Sequence, residues 1–431
     1  MVFFEDFKIK DGLNVHLWQT RKFKSVHLQI YLHNQLSDET TTFNNLLGAV
    51  LTRGTSEYPE TRQFSKSLDM LYGASVSYSV SRRGERGLLS LSAVMADVEI
   101  EGLSPIKVLS RLLASVLFGP ALDAGGLLRA DYTAQERSGI ANDIASLRDD
   151  KDAWADFRCS ANMCSEEPFG IHPLGDEGLL KSIGPEPLTS WWSGVLPSCP
   201  ADIFAVGDFD IIEALEEIRR AFAGSLKCDA NPGNPFGQAI VPTSGRRFIE
   251  YADTQQAKLV IGWRSPIRWS DRDYPAHAMA NHIFGQYSQS KLFMNVREKE
   301  GMAYSVGSRL EPTKGLVFAY AGVDSGNMEK AIDVILKEHA SLCSGDITEK
   351  ELADAKKSMS LGIRMSADKP GSLCGREVTG IVNSGRFTIE EAVERINAVR
   401  AEEIAKAASS WALDTVFCLM PETSGKEAGR R

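Results

Sequence analysis

The chain repeats itself at a spacing of about 228 residues, which limits the folds open to it more than any other feature. Leu28-Gln29-Ile30 returns as Leu259-Val260-Ile261, Tyr78-Ser79-Val80 as Tyr304-Ser305-Val306, and Gly87-Leu88-Leu89 as Gly315-Leu316-Val317. One such match is chance. Three in the same order indicate a tandem duplication. A length of 431 residues is compatible with two or three domains at about 150 residues each, and the repeat selects two.

The local patterns within each copy mix strand and helix. Val26 to Leu32 alternates with period two, as a half-buried strand does. Thr61 to Tyr72 places Phe64, Leu68 and Leu71 on one helical face and stops at Gly73, a glycine cap. Gly87 to Val94 reads as a strand and Pro105 to Phe118 as a helix. One long helix is expected from about Leu127 to Met163, then a strand at Ala201 to Val206 and a helix from Ile211 to Ala223. The stretch Ser225 to Arg247 holds Pro232, Pro235, Pro242 and three glycines without periodicity, the composition of a linker. The expected fold class is therefore α+β: two tandem homologous domains, residues 1–224 and 247–431, joined by a linker at 225–246. Each domain is expected to be a mostly antiparallel sheet flanked by helices.

Composition narrows the function. Fifty-seven acidic against 48 basic residues leave a net charge of −9, which disfavours binding to phosphate backbones, so no nucleic-acid partner is expected. Met1 to Lys8 lacks a basic segment followed by an apolar one and does not read as a secretory signal. No apolar run approaches the roughly 20 residues that a membrane span needs. The seven cysteines are scattered without a Cys-x-x-Cys pair, which favours reduced thiols and a cytoplasmic location.

Local motifs add a resemblance. Arg297-Glu298-Lys299-Glu300-Gly301-Met302-Ala303-Tyr304-Ser305-Val306 closely resembles the Arg-Glu-Lys-x-Gly-x-Ala-Tyr-Ser segment of the insulinase/pitrilysin-like peptidases, the inverzincins. Asp271 to Phe293 resembles the helix leading into it. In the first copy, Arg53-Gly54-Thr55 with Tyr58-Pro59, and Leu71-Tyr72-Gly73-Ala74, resemble that family's turn and helix end. Glu166 to Pro173 is similar to its turn after the long helix, a structural feature. The resemblance spans roughly Phe7 to Pro421 and implies half of a clam-shell chamber.

An active member carries His-x-x-Glu-His ahead of the Gly-Thr turn, because two imidazoles one helical turn apart hold Zn²⁺ while the glutamate serves as general base. Here those positions hold Asn45, Gly48 and Ala49. The family's third ligand, a carboxylate seven residues after another glutamate, aligns with Asp143 after Glu136. Asp143 without the histidines is an ordinary helix residue, solvated or paired with Arg137 or Arg148. The seven histidines offer no replacement; His277 and His282 lie about 140° apart on a helix and are packing residues. Gly322 to Gly326 reads as a turn with a serine or asparagine cap, and Trp191-Trp192 as core.

What remains is Arg297 and Tyr304. In the family, an arginine and a tyrosine at this spacing reach across the chamber to the other half's zinc site. A guanidinium and a phenol are good donors to a developing oxyanion. The alternative is that Arg297 pairs with Glu298 or Glu300 and Tyr304 packs in a strand. The resemblance implies a catalytically incomplete subunit of a heterodimeric zinc peptidase. It would have no cofactor of its own, zinc in a homologous partner, and a peptide as substrate; the alternative is a non-proteolytic homodimer.

Overall fold

Two sheets organise the computed structural model, which describes residues 4–238, 240 and 245–422. The first has six strands, β1 (Glu5–Lys10), β2 (Leu13–Gln19), β3 (Ser25–Gln35), β4 (Ser75–Arg83), β5 (Arg86–Ala96) and β6 (Ala201–Gly207), ordered β1-β2-β6-β3-β5-β4. The second has five, β7 (Arg246–Ala252), β8 (Ala257–Arg264), β9 (Ala303–Glu311), β10 (Leu316–Val323) and β11 (Ala412–Pro421), ordered β7-β11-β8-β10-β9. Removal of β1 makes the two orders identical. Each sheet is antiparallel but for one corresponding pair, β2 with β6 and β7 with β11. The repeated triplets fall on equivalent strands, β3 and β8, β4 and β9, β5 and β10. The duplication inferred from sequence is thus a duplication of topology.

Helices α1 (Asp38–Leu51), α2 (Thr61–Met70), α3 (Pro105–Phe118), α4 (Ala130–Asp149), α5 (Lys151–Met163), α6 (Glu177–Ser182), α7 (Pro185–Ser190) and α8 (Ile211–Phe222) belong to the first copy. Helices α9 (Tyr274–Asn281), α10 (Met328–Cys343), α11 (Glu349–Ser366), α12 (Pro370–Val382), α13 (Ile389–Ala398) and α14 (Ala401–Ser409) belong to the second. The expected single helix from Leu127 to Met163 is two. Asp150, at ψ 95, leaves the helical region and caps the next helix by accepting from the Ala153 N–H. An Asp at that position favours a restart over continuation, since its side chain supplies the acceptor that the new helix end needs.

That break matters, because α5 leaves its own domain. Its residues Ala155, Cys159 and Met163 pack on Val260, Leu316, Phe318 and Phe417, covering one face of the second sheet. Its counterpart α12 returns the arrangement: Leu373, Cys374 and Val378 pack on Tyr31, Leu88, Phe204 and Val206 of the first sheet. The central strands of each sheet are therefore buried on both faces, one by their own helices and one by a helix of the other copy. This overturns the half-buried reading of Val26 to Leu32, where six of the seven residues are buried. At about 1.5–3 kcal/mol per large apolar side chain buried, the exchange ties the halves firmly together.

Charge follows the same route. Glu167, in the turn after α5, lies 2.6 Å from Arg264 and 2.6 Å from Lys314, both in the second copy. Lys314 also pairs with Glu85 at 2.6 Å. The segment expected to be a linker is pinned where it is described: Pro235 accepts from the Glu85 N–H and Gly233 from Arg86. Positions 239 and 241–244, including Pro242, lie outside the described residues. All seven cysteines are free, and burial pushes the Cys164 thiol up to about 12. Among the described residues, no helix is long and apolar enough to cross a membrane.

Candidate functional site

The motif positions sit on α1, whose start is fixed by a capping box between Ser37 and Thr40. Asn45 is buried and donates its amide N–H to the carbonyls of Thr41, at 2.9 Å, and Pro173, at 3.3 Å. Ala49 is also buried. Gly48 faces Tyr78 on β4, and a Cβ added there would meet the Tyr78 ring inside van der Waals contact. A glutamate at position 48 has no room. The place where a metal-bound water would be activated is packed solid by the aromatic ring.

The carboxylates opposite are committed or solvated. Glu136 on α4 pairs with Arg53 at 2.9 Å, and Arg53 also bonds Gln135. Asp143 is exposed, and its two candidate partners are engaged elsewhere: Arg137 donates to the Ile183 carbonyl, and Arg148 lies 3.9 Å from Glu177. Burial, then the negative charges of Glu136 and Asp143, raise the Tyr78 phenol above its usual range, so it stays protonated. Among the described residues, no three His, Cys, Asp or Glu side chains are placed to hold a metal ion. The residues at the degenerate motif do not fit zinc: one amide engaged with backbone, two positions without donors, one lone carboxylate.

The second copy is the reverse. Arg297 lies in a π-helical segment, Phe293–Lys299, stacked over the Phe293 ring at 4.8 Å. Its nearest carboxylate is Glu298 at 3.8 Å, while Glu300 is taken by Lys330. Tyr304 is 71% exposed and does not pack as an ordinary strand residue. The cause is a bulge: Ser305 pairs with Gly322 and Ala303 with the adjacent Val323, leaving Tyr304 as the extra residue. Bulges bend a strand and re-aim side chains. Here the bulge falls on the outermost strand of the sheet, so the phenol is open to solvent, and Arg297 on the preceding helical segment is exposed as well.

The remaining motifs are structural. Trp191 stacks on Phe43, with ring centroids 4.6 Å apart, and Trp192 donates to the Leu117 carbonyl. His277 accepts from the Trp411 indole and His282 stacks on Tyr287. The helix after Gly322–Gly326 begins at Asn327, which makes no side-chain cap, unlike the expectation. One cluster escapes sequence reading: Asp202 on β6 lies 2.9 Å from both His16 and His33, and Asn14 donates to it at 3.1 Å. Their separation in sequence hides them; only the strand order brings them together.

Fold and site define the class: a duplicated peptidase-type α+β subunit whose metal motif is closed while its arginine–tyrosine segment is open. Residues 200–359 match the family described as "Peptidase M16 inactive domain". Over 411 residues the chain is 30% identical to the "Probable inactive metalloprotease YmfF" of Bacillus subtilis (strain 168), covering 95% of this chain and 96% of that one. It is 28% identical over 401 residues to the "Uncharacterized zinc protease YmxG" of the same strain, covering 92% of each. A solved structure, a conserved protein from Enterococcus faecalis V583, superposes with a TM-score of 0.89 at 26% identity, covering 97% of this chain and 99% of the other. The chain belongs to the peptidase M16 family, as a catalytically incomplete member.

Proposed function

We propose that this chain is the zinc-free half of a two-subunit peptidase. It contributes Arg297, Tyr304 and half of the substrate chamber to a zinc-bearing homologue, which supplies the metal and the general base. The observation that carries this reading is the contrast within the duplication: the motif on α1 is filled by Tyr78, whereas Tyr304, on the equivalent strand of the second copy, is turned outward by a bulge. An exposed tyrosine, and an arginine held only by a ring beneath it and an exposed carboxylate at 3.8 Å, suit donation to a peptide oxyanion on a facing subunit. The occurrence of relatives named inactive and zinc protease in one organism fits two complementary chains. The substrate is a peptide, and the chain works in the cytoplasm.

The test is co-purification from the native host followed by reconstitution. The pure chain should bind no zinc and cleave nothing; mixed with its His-x-x-Glu-His partner it should raise peptide cleavage well above that of the partner alone. Stoichiometric zinc in the pure chain, or a self-dimer to which no zinc-bearing homologue adds activity, sinks the proposal. The second outcome would favour a non-proteolytic homodimer instead.

A further inference from the structure

Four arginines converge where the outermost strands of the two sheets end, and three of them have no carboxylate partner among the described residues. The cleft there is about 570 Å³ in volume and lies between the two copies, lined by Arg82 and Arg83 from β4, Arg309 from β9 and Arg376 from α12, beside Trp269. Arg309 is held by Asp156 through two bonds of 2.8 and 2.9 Å. The others bond only neutral oxygens. Arg82 donates to the carbonyls of Phe169 and Ile171, Arg83 to the Thr379 hydroxyl and its neighbour's carbonyl, and Arg376 to the Phe387 and Thr388 carbonyls. Among the described residues none of these three has a salt bridge.

This departs from the chain's habit. Elsewhere between the copies, cations meet anions: Arg264 with Glu167, Lys314 with Glu85, Arg386 with Asp6, Lys22 with Asp368. Partly buried guanidiniums lacking a counter-charge are costly and attract one. Burial holds both Arg82 and Arg376 below the usual arginine range, outweighing the attraction of Glu311 and Asp156 for the first and of Glu377 for the second. Asp156 and Glu311 line the same cleft, yet the four arginines outnumber them in a protein whose overall charge is negative. Guanidinium forks match the planar geometry of a carboxylate, and an indole edge suits an adjoining apolar stem.

We propose that this cleft is a carboxylate-binding subsite that selects peptides carrying an acidic residue. The proposal rests on the peptide-handling reading above and specifies its substrate class. Tyr304 and Arg309 share β9, about 17 Å apart at roughly 3.3 Å per residue, so an extended peptide of about ten residues can reach both.

The test measures binding of ten-residue fluorescent peptides to the full chain by anisotropy, at low and high salt. One peptide carries a single glutamate, a second has glutamine in its place, and both have amidated C-termini; a third is the glutamine peptide with a free terminal carboxylate. The glutamate peptide should bind about tenfold more tightly than its glutamine counterpart, and salt should erase the difference. Arg83→Gln with Arg376→Gln should abolish the preference while thermal unfolding stays unchanged, and Arg83→Lys with Arg376→Lys should retain part of it. Preference for the third peptide over its amide assigns the subsite to chain termini rather than side chains. Equal binding of all three overturns the subsite but leaves the peptide chamber standing; a preference that survives the double variant does the same. No binding of any peptide, with or without the zinc-bearing partner, overturns both.

Discussion

Tyr78 and Tyr304 lie on equivalent strands of the duplicated topology, β4 and β9, and have opposite fates. Tyr78 is turned in over Gly48, where it fills the space that a side chain at that position would need. Tyr304 is the extra residue of a bulge and points to solvent. A glycine lets the ring close the first site, and an inserted residue in a strand pairing opens the second. A second pair of equivalents tells a similar story. Asp202 in the first copy is met by His16, His33 and Asn14, and Asp414 in the second by Arg264 at 2.7 Å and Arg246 at 3.0 Å. Both lie on equivalent strands, yet one anion is met by imidazoles and an amide and the other by two guanidiniums.

The largest effect should come from breaking the arginine-held anion. Asp414→Asn leaves Arg246 without a carboxylate and Arg264 with Glu167 alone, and should cost about 3–5 kcal/mol. Asp202→Asn, whose imidazole partners can shed their protons, should cost nearer 1–2 kcal/mol. Urea unfolding midpoints at pH 7 would compare them, and equal losses would erase the distinction. Next, Arg297→Ala together with Tyr304→Phe should lower turnover of the reconstituted complex by about 10²-fold, while Tyr78→Phe leaves it unchanged; identical rates for all three proteins would remove the catalytic difference between the tyrosines. Gly48→Ala should destabilise by about 1–3 kcal/mol through overpacking, a loss largely relieved in a Tyr78→Ala background. Thermal melts of the four proteins would reveal the coupling, and strict additivity would mean that the ring is not what excludes a side chain.

The smallest effect is a pH dependence confined to the first copy. Burial alone would depress His16, but hydrogen bonds to Asp202 and Asp6 outweigh it and hold its pKa above the ordinary value. A raised histidine stabilises below its unfolded pKa of about 6.5 and loses that contribution as pH rises through the folded value. The paired Asp202 is held low, so its own share persists until the medium is acidic enough to protonate unfolded carboxylates, below about pH 4. The stability gap between wild type and His16→Gln should therefore be widest between about pH 4 and 6.5 and shrink above. Asp414→Asn should cost the same from pH 5 to 9, because arginine stays charged. Parallel pH profiles for the two variants would contradict the comparison.

Much of this was legible in the chain itself. The repeat foretold two copies of one topology because matching triplets fell on equivalent strands. Asn45, Gly48 and Ala49 offer neither an imidazole nor a general base, which their residue types alone convey. The opaque features were those set by partners remote in sequence. The alternation at Val26 to Leu32 announces one buried face, but the second is buried by α12, whose apolar stripe says nothing about which sheet it will meet. The break at Asp150 was hidden because the flanking residues favour helix. Tyr78 over Gly48, the Asp202 cluster and the arginine cleft depend on strand order, which local periodicity does not encode.

The exchange of α5 and α12 also sets a schedule for synthesis. The first sheet is complete once Gly207 has been made, but Leu373, Cys374 and Val378, which cover its second face, emerge about 170 residues later, a wait of roughly 10–30 s at ribosomal speed. During that interval Tyr31, Leu88, Phe204 and Val206 face solvent, and the nascent first copy needs protection that the finished protein does not.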